Sequence, residues 1–249
     1  MTRQDDQLPA FPFKFGPYGT STRTYDLFRS SCPVRRVSLP SGLRAWLVTT
    51  YADVCRVHTE PTFSRAEAVR VAATLIKGPS IELEPSVLQN TDGEQHSRLR
   101  RVFGIHYDHE HVPRWTHTIH DEAHRAINGI EAGRVFDLRA DLFEPIATRC
   151  AEKLFGFPVA NNFQLELFFD HSMMAEARGS VSSFISGKTK LSEHSYIGML
   201  NAARQNGRIS EPELIMNLVV FAIATFGAVR AAFLGGMFAL LRDLNQWVA

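Results

Sequence analysis

Seven of the ten histidines in this chain fall between positions 96 and 124. They include His106, His109 and His111 in the run HYDHEH, followed by His117, His120 and His124. The last three recur at i, i+3 and i+7, in one narrow arc of a helix, and imidazoles so spaced can hold a divalent metal. That arc lies away from the apolar positions Trp115 and Ile119, so a solvated polar face is the better reading and no metal is expected. The paired acids Glu82 and Glu84, and Asp108 and Glu110, have the composition for acid–base work, but such pairs are common on loops. Cys32, Cys55 and Cys150 are far apart with no CxxC spacing. That usage suits a reducing compartment, and a cytoplasmic location is expected. No phosphate-binding loop, dinucleotide fingerprint or nucleophile elbow occurs.

The elements that must position these groups are mostly helices. The Pro-, Gly-, Ser- and Thr-rich first thirty residues are expected to wrap irregularly. Val34 to Leu39, a Pro40-Ser41-Gly42 turn and Leu43 to Val48 read as a β-hairpin. A helix follows from Tyr51, then irregular chain from Thr62 to Asn90. Asp92 with Gln95 three residues on has the capping-box form and opens the helix EQHSRLRRVF. Trp115, Ile119, Ala123, Ile127 and Ile130 predict one buried stripe on a further helix, and another helix runs roughly from Asp141 to Leu154. Ser210-Glu211-Pro212-Glu213 is the strongest local signal: Ser caps, Pro occupies the first turn and Glu completes the box. The helix it opens extends to about Arg242 and is apolar around most of its circumference, as in a helix buried through a domain centre. Gly227, Gly235 and Gly236 each cost that helix about 1 kcal/mol relative to Ala, which close helix packing would explain.

With 249 residues, 45% of them hydrophobic and 21% charged, the chain has ordinary globular composition, and a single domain over 1–249 is expected. Its 27 basic and 26 acidic residues nearly cancel, which argues against nucleic acid or an anionic membrane as partner. The apolar run from Leu218 to Val229 is shorter than the ~20 residues a bilayer requires and is bracketed by Asn217 and Arg230, so no membrane span is expected.

The order of SCPVRRVSLPSGLRAWLVTTYADVCRVHTEPTFSR, DGEQHSRLRRVF, GRISEPELIMNLVVFAIA and FLGGMFALLRDLNQW resembles the amino-terminal half of a bacterial cytochrome P-450, along essentially the whole chain. The resemblance implies a mainly α, truncated fold of that family, with a small β-hairpin near the N-terminus and a long central helix equivalent to the I helix over the haem. It also implies that His96 and Arg100 match a pair that holds a haem propionate. The family's Glu-x-x-Arg motif and its cysteine loop lie beyond the I helix; Glu67 with Arg70 and Glu122 with Arg125 match the four-letter pattern too early and by chance. The family's Ala-Gly-x-Asp/Glu-Thr window falls at Ala224-Thr225-Phe226-Gly227-Ala228, where Gly227 replaces the acid and Ala228 the alcohol that deliver protons to iron-bound oxygen. The segment between Phe163 and Ser192 is short beside the family's F and G helices.

The expectation is therefore a haem-free relative without cofactor and without monooxygenase activity. Ile81, Glu82, Glu84 and Asp92, with Ala224, Phe226, Gly227 and Ala228, are candidate substrate-pocket residues, and no catalytic residue is singled out. The leading function is cofactor-independent cyclisation or isomerisation of a small apolar intermediate in bacterial natural-product biosynthesis. The alternatives are an auxiliary protein of a partner enzyme such as a glycosyltransferase, and a decayed or split monooxygenase. A homodimer or a partner enzyme is expected to cover the central helix.

Overall fold

A computed structural model describes residues 8–16, 21–75, 81–104, 112–156, 171–187, 191, 195–243 and 245. The chain divides into two compact units, one of residues 1–85 with 89–92 and one of residues 86–88 with 93–249.

In the first unit, β1 (Val34–Ser38) and β2 (Arg44–Val48) form the expected antiparallel hairpin, with Val34 opposite Val48 and Arg36 opposite Trp46. Gly42 turns it at φ +88°, a conformation that favours glycine. Among the first thirty residues, those described (8–16 and 21–30) are more ordered than expected. Segment 9–11 runs along β1, where the Ser38 amide donates to the Pro9 carbonyl and the Phe11 amide to the Ser38 carbonyl, both at 2.9 Å. Thr22 then caps α1 (Arg23–Ser31), whose Phe28 is buried with Phe13 packed edge-on against it. Thr50 caps α2 (Tyr51–Thr59).

The stretch after Thr62, expected to be irregular, contains α3 (Arg65–Arg70) and short 3-10 turns at Ile81–Leu83 and Leu88–Asn90. The reason for α3 lies far along the chain. Ser64 caps it, and the Asp92 carboxylate accepts hydrogen bonds from the Ser64 hydroxyl (2.6 Å) and the amides of Arg65 (3.3 Å) and Ala66 (2.9 Å). An anion thus sits on the free amides and positive end of a short helix.

The second unit is helical: α4 (Gly93–Phe103), α5 (Val112–Asn128), α6 (Glu144–Phe155), α7 (His171–Ser186), α8 (Tyr196–Gln205) and α9 (Glu211–Arg242). A turn of π-helix, Leu138–Phe143, leads into α6, so the ordered segment starts slightly earlier than the sequence suggests. Gly156 closes α6 in the left-handed conformation (φ +79°), and a Cβ there would meet the Ser195 Cβ at 2.8 Å. α9 opens with the complete capping box predicted from Ser210 and Glu213.

Leu99 and Phe103 of α4, Ala151 and Phe155 of α6, Ile197 and Leu200 of α8 and Leu214 to Ile223 of α9 supply the core. α6, α7 and α8 all pack on α9. The predicted stripe on α5 is turned: Ile119 and Ile127 are exposed, and among the described side chains of α5 the buried one is Glu122, drawn inward by cations of α6. No described helix is long and apolar enough to cross a membrane.

Candidate functional site

α9 changes character at Ala224. From Leu214 to Ile223 every residue except Ile215 and Phe221 is buried, whereas Ala224 and Ala228, one turn apart on one face, are exposed. Farther along, Ala231, Ala232, Gly235, Gly236, Phe238, Leu240 and Leu241 are exposed too, although Phe233 stacks on Phe143 with ring centroids 5.0 Å apart. A Cβ at Gly235 or Gly236 would meet nothing within 4 Å, so neither is held by close helix packing among the described residues. Phe226 and Gly227 lie on helical backbone, and their side-chain surroundings fall outside the described residues.

α4 is fastened to the start of α9 by a charged clamp. Arg98 donates through Nη2 to Glu213 Oε1 at 2.5 Å, through Nη1 to Glu213 Oε2 at 3.3 Å, and through Nη1 to the Arg208 carbonyl at 2.7 Å. Burial pushes the Glu213 carboxyl up, but Arg98 and the Ser210 amide outweigh it and hold the group below the usual carboxylate range. The Tyr196 hydroxyl donates to the Phe103 carbonyl at 2.7 Å and ties α8 to the other end of α4. On α4, His96 is half-buried and Arg100 exposed, at i and i+4, the spacing at which two side chains can share one anionic group.

Asn217, which reads in the sequence only as the edge of an apolar run, latches the segment preceding α4. Its Nδ2 donates to the Ser86 carbonyl (2.8 Å) and the Glu213 carbonyl (2.7 Å), and its Oδ1 accepts from the Leu88 amide (2.7 Å). Full satisfaction of a buried amide fixes that segment against the central helix.

The candidate residues Ile81, Glu82, Glu84 and Asp92 belong to the first unit, and Ala224, Phe226, Gly227, Ala228, His96 and Arg100 to the second. Within the first unit, buried Asn90 donates to the carbonyls of Ile81 (2.7 Å) and Glu84 (2.9 Å), while Arg65 donates to its Oδ1 (2.8 Å). Glu82 accepts from the Leu75 amide at 3.0 Å. These bonds bring Ile81, Glu82 and Glu84 into one hydrogen-bonded loop. Asn90 is its centre, a role that a polar residue in a loop does not advertise.

A second polar centre surrounds Glu122, whose carboxylate is paired with Arg125, with Lys153 at 2.5 Å and with Arg149 at 3.7 Å. Hydrogen bonds from Arg125 and Lys153 draw its carboxyl down from 4.5 to about 2. An open cavity of about 340 Å³ lies beside it, lined also by Arg134, Ile130 and Phe136. Burial, and then the Glu122 charge, push the nearby Cys150 thiol up, with Lys153 opposing. Cys150, the one cysteine of the second unit, is a partly buried free thiol on α6.

Helices packed around one long central helix, with a two-stranded hairpin near the N-terminus, define a known fold class. The structure superposes on a solved structure of HinD with a TM-score of 0.82 and 24% identity, over 94% of this chain and 62% of that one. It also matches the cytochrome P-450 enzyme CxnD, described as forming a C–S bond in chuangxinmycin biosynthesis, with a TM-score of 0.80 and 22% identity over 96% and 63% of the two chains. The fold is that of a cytochrome P-450. Among sequences, nocardicin C N-oxygenase of Nocardia uniformis subsp. tsuyamanensis is 23% identical over 263 aligned positions, 99% of this chain and 65% of the relative. A Mycobacterium tuberculosis protein assigned as cytochrome P-450 141 is 29% identical over 168, or 67% of this chain and 41% of that protein. Over most of its length the chain is thus similar in sequence to bacterial cytochrome P-450s and shares their fold. It spans 41% and 65% of the lengths of these two relatives. No family model matches it.

Proposed function

We propose that this chain is a cytochrome P-450 relative that no longer activates oxygen and instead uses the exposed face of α9 around Ala224 and Ala228 to hold a small apolar intermediate. The observation that carries the reading is the helix window itself, Ala224-Thr225-Phe226-Gly227-Ala228, which has neither a carboxylate at Gly227 nor a hydroxyl at Ala228. Without them the helix cannot relay protons as the family's acid and alcohol do. His96 and Arg100 have the spacing to hold a propionate, and ring closure or isomerisation by binding alone asks nothing of haem.

What remains on this face is apolar surface with small side chains, which suits folding a flexible molecule. Holding two reacting ends together recovers up to about 7–11 kcal/mol of entropic barrier without any ionisable catalyst, which is sufficient for a cyclisation or isomerisation. His96 and Arg100 would then hold a carboxylate of the intermediate. Natural-product relatives such as nocardicin C N-oxygenase support a biosynthetic setting.

The test is the purified full chain. It is expected to be colourless, and a carbon-monoxide difference band typical of a haem thiolate would overturn the reading. Ala224→Leu and Ala228→Leu are expected to abolish pathway flux with an unchanged circular dichroism spectrum; full flux in both variants would also overturn it.

A second reading, an auxiliary protein docking on a partner enzyme, is favoured by the exposed apolar side chains of Phe238, Leu240 and Leu241 farther along α9. Such patches mark interfaces. Size-exclusion chromatography with light scattering separates the two, because docking requires a dimer or a stable complex with that enzyme.

A further inference from the structure

The histidine arc on α5 has a geometry that its spacing alone does not reveal. His120 and His124 are both exposed, and their Nε2 atoms lie 3.3 Å apart. Two Zn–N bonds of about 2.05 Å meeting at a tetrahedral angle of about 109° separate their nitrogens by about 3.3 Å. A square-planar ion, with an angle of about 90°, would set them about 2.9 Å apart. The distance is that of a hydrogen bond between the two rings, and it equally matches the bite of a tetrahedral ion that would replace the shared proton.

We propose that His120 and His124 form a two-imidazole chelate for a late divalent metal, with zinc fitting best. The ring centroids are 4.3 Å apart and the planes inclined by 64°. Two imidazoles aimed at one zinc ion hold their centroids about 5 Å apart, so the rings must splay by somewhat less than 1 Å. Both are exposed, so no packing opposes that movement. The i, i+4 placement on one helix keeps the two ligands together at no added cost in ordering.

Groups near the pair can be enumerated. His117, one turn earlier, lies 3.7 Å from Asp121, and no set of three or more His, Cys, Asp or Glu residues able to hold a metal occurs among the described residues. Water therefore fills the remaining positions on the ion. The site is open, and none of its residues belongs to the α9 face around Ala224 and Ala228. Because neutral imidazole is the ligand, protons compete with the metal for the two rings.

The experiment titrates the full chain with Zn²⁺ at pH 7.5, followed by calorimetry, with hydrogen exchange of α5 amides as a second readout. One equivalent is expected to bind and to slow exchange across residues 116–124. His120→Gln and His124→Gln should each weaken binding at least tenfold and abolish the exchange effect, while His117→Gln should leave binding within twofold. A triple variant at His106, His109 and His111 should retain binding, which separates this pair from the HYDHEH run. Zinc binding that survives in the His120→Gln/His124→Gln double variant, or no binding by the parent chain at tens of micromolar zinc, overturns the proposal.

Discussion

Replacing Glu122 by Gln tests whether the charged centre between α5 and α6 holds the second unit together. The side chain is 1% exposed, and its carboxyl is drawn from 4.5 down to about 2 by Arg125 and Lys153. A shift of that size corresponds to about 3 kcal/mol if nothing screens it. Arg125, Arg149 and Lys153 are themselves about half exposed, so water and salt reduce the value, and the expected loss at pH 7 is about 1–3 kcal/mol. Gln preserves the shape but leaves three cations without their anion. Because the folded carboxyl titrates below the unfolded one, the stabilisation is complete above pH 4.5 and is lost as pH falls towards 2. Urea unfolding at pH 7 and pH 3 measures both statements: the parent should exceed Glu122→Gln clearly at pH 7, and the gap should narrow at pH 3. Equal midpoints at pH 7, or a gap independent of pH, would refute the role given to this carboxylate.

Arg98→Met should destabilise the protein by about 2–4 kcal/mol, because it leaves Glu213 largely buried without its partner; an unchanged urea midpoint would contradict the clamp. Gly236→Ala should instead stabilise by about 0.5–1 kcal/mol, since the new Cβ meets nothing, and a fall in melting temperature would show that something covers that face. Gly156→Ala should cost at least about 1 kcal/mol, because it combines a left-handed backbone with a 2.8 Å approach to Ser195; thermal melts that match the parent would count against this.

Where a structural decision is local, it is legible in the sequence. The capping box at Ser210 and Glu213 needs only four residues, and α9 begins where they place it. The hairpin likewise follows from apolar runs around Gly42. What a local reading of the sequence does not reveal depends on partners distant in sequence. α3 forms under a carboxylate 26–28 residues later, and Asn217 fastens a segment about 130 residues earlier. The same cause misplaces the face of α5, because periodicity counts Glu122 as polar and therefore outward. Arg149 and Lys153 on α6 make inward the better place for it, and Ile119 and Ile127 turn out to solvent. The candidate acids are a comparable case. Glu82 and Asp92 are the right residue types for chemistry, yet both spend hydrogen bonds on backbone amides of their own unit.

The division of α9 at Ala224 connects fold to function. Eight of the ten positions from Leu214 to Ile223 are buried in the core, so substitutions there would be read through stability. From Ala224 to Arg242 the helix continues for about 28 Å, a length set by its 1.5 Å rise per residue, with much of its apolar surface uncovered among the described residues. Apolar side chains left in water contribute little to folding, so their value to the protein must lie in what they meet. A ligand site and a docking face make different demands along this length. A small intermediate needs the small residues at 224 and 228, beside the core that would wall the site. A protein partner needs the large ones, Phe238 and Leu241, where a broad surface can be buried. Ala228→Leu and Phe238→Ser therefore divide the two readings: the first should damage turnover alone, and the second association alone. Neither should unfold the chain, because both positions lie outside its packed core.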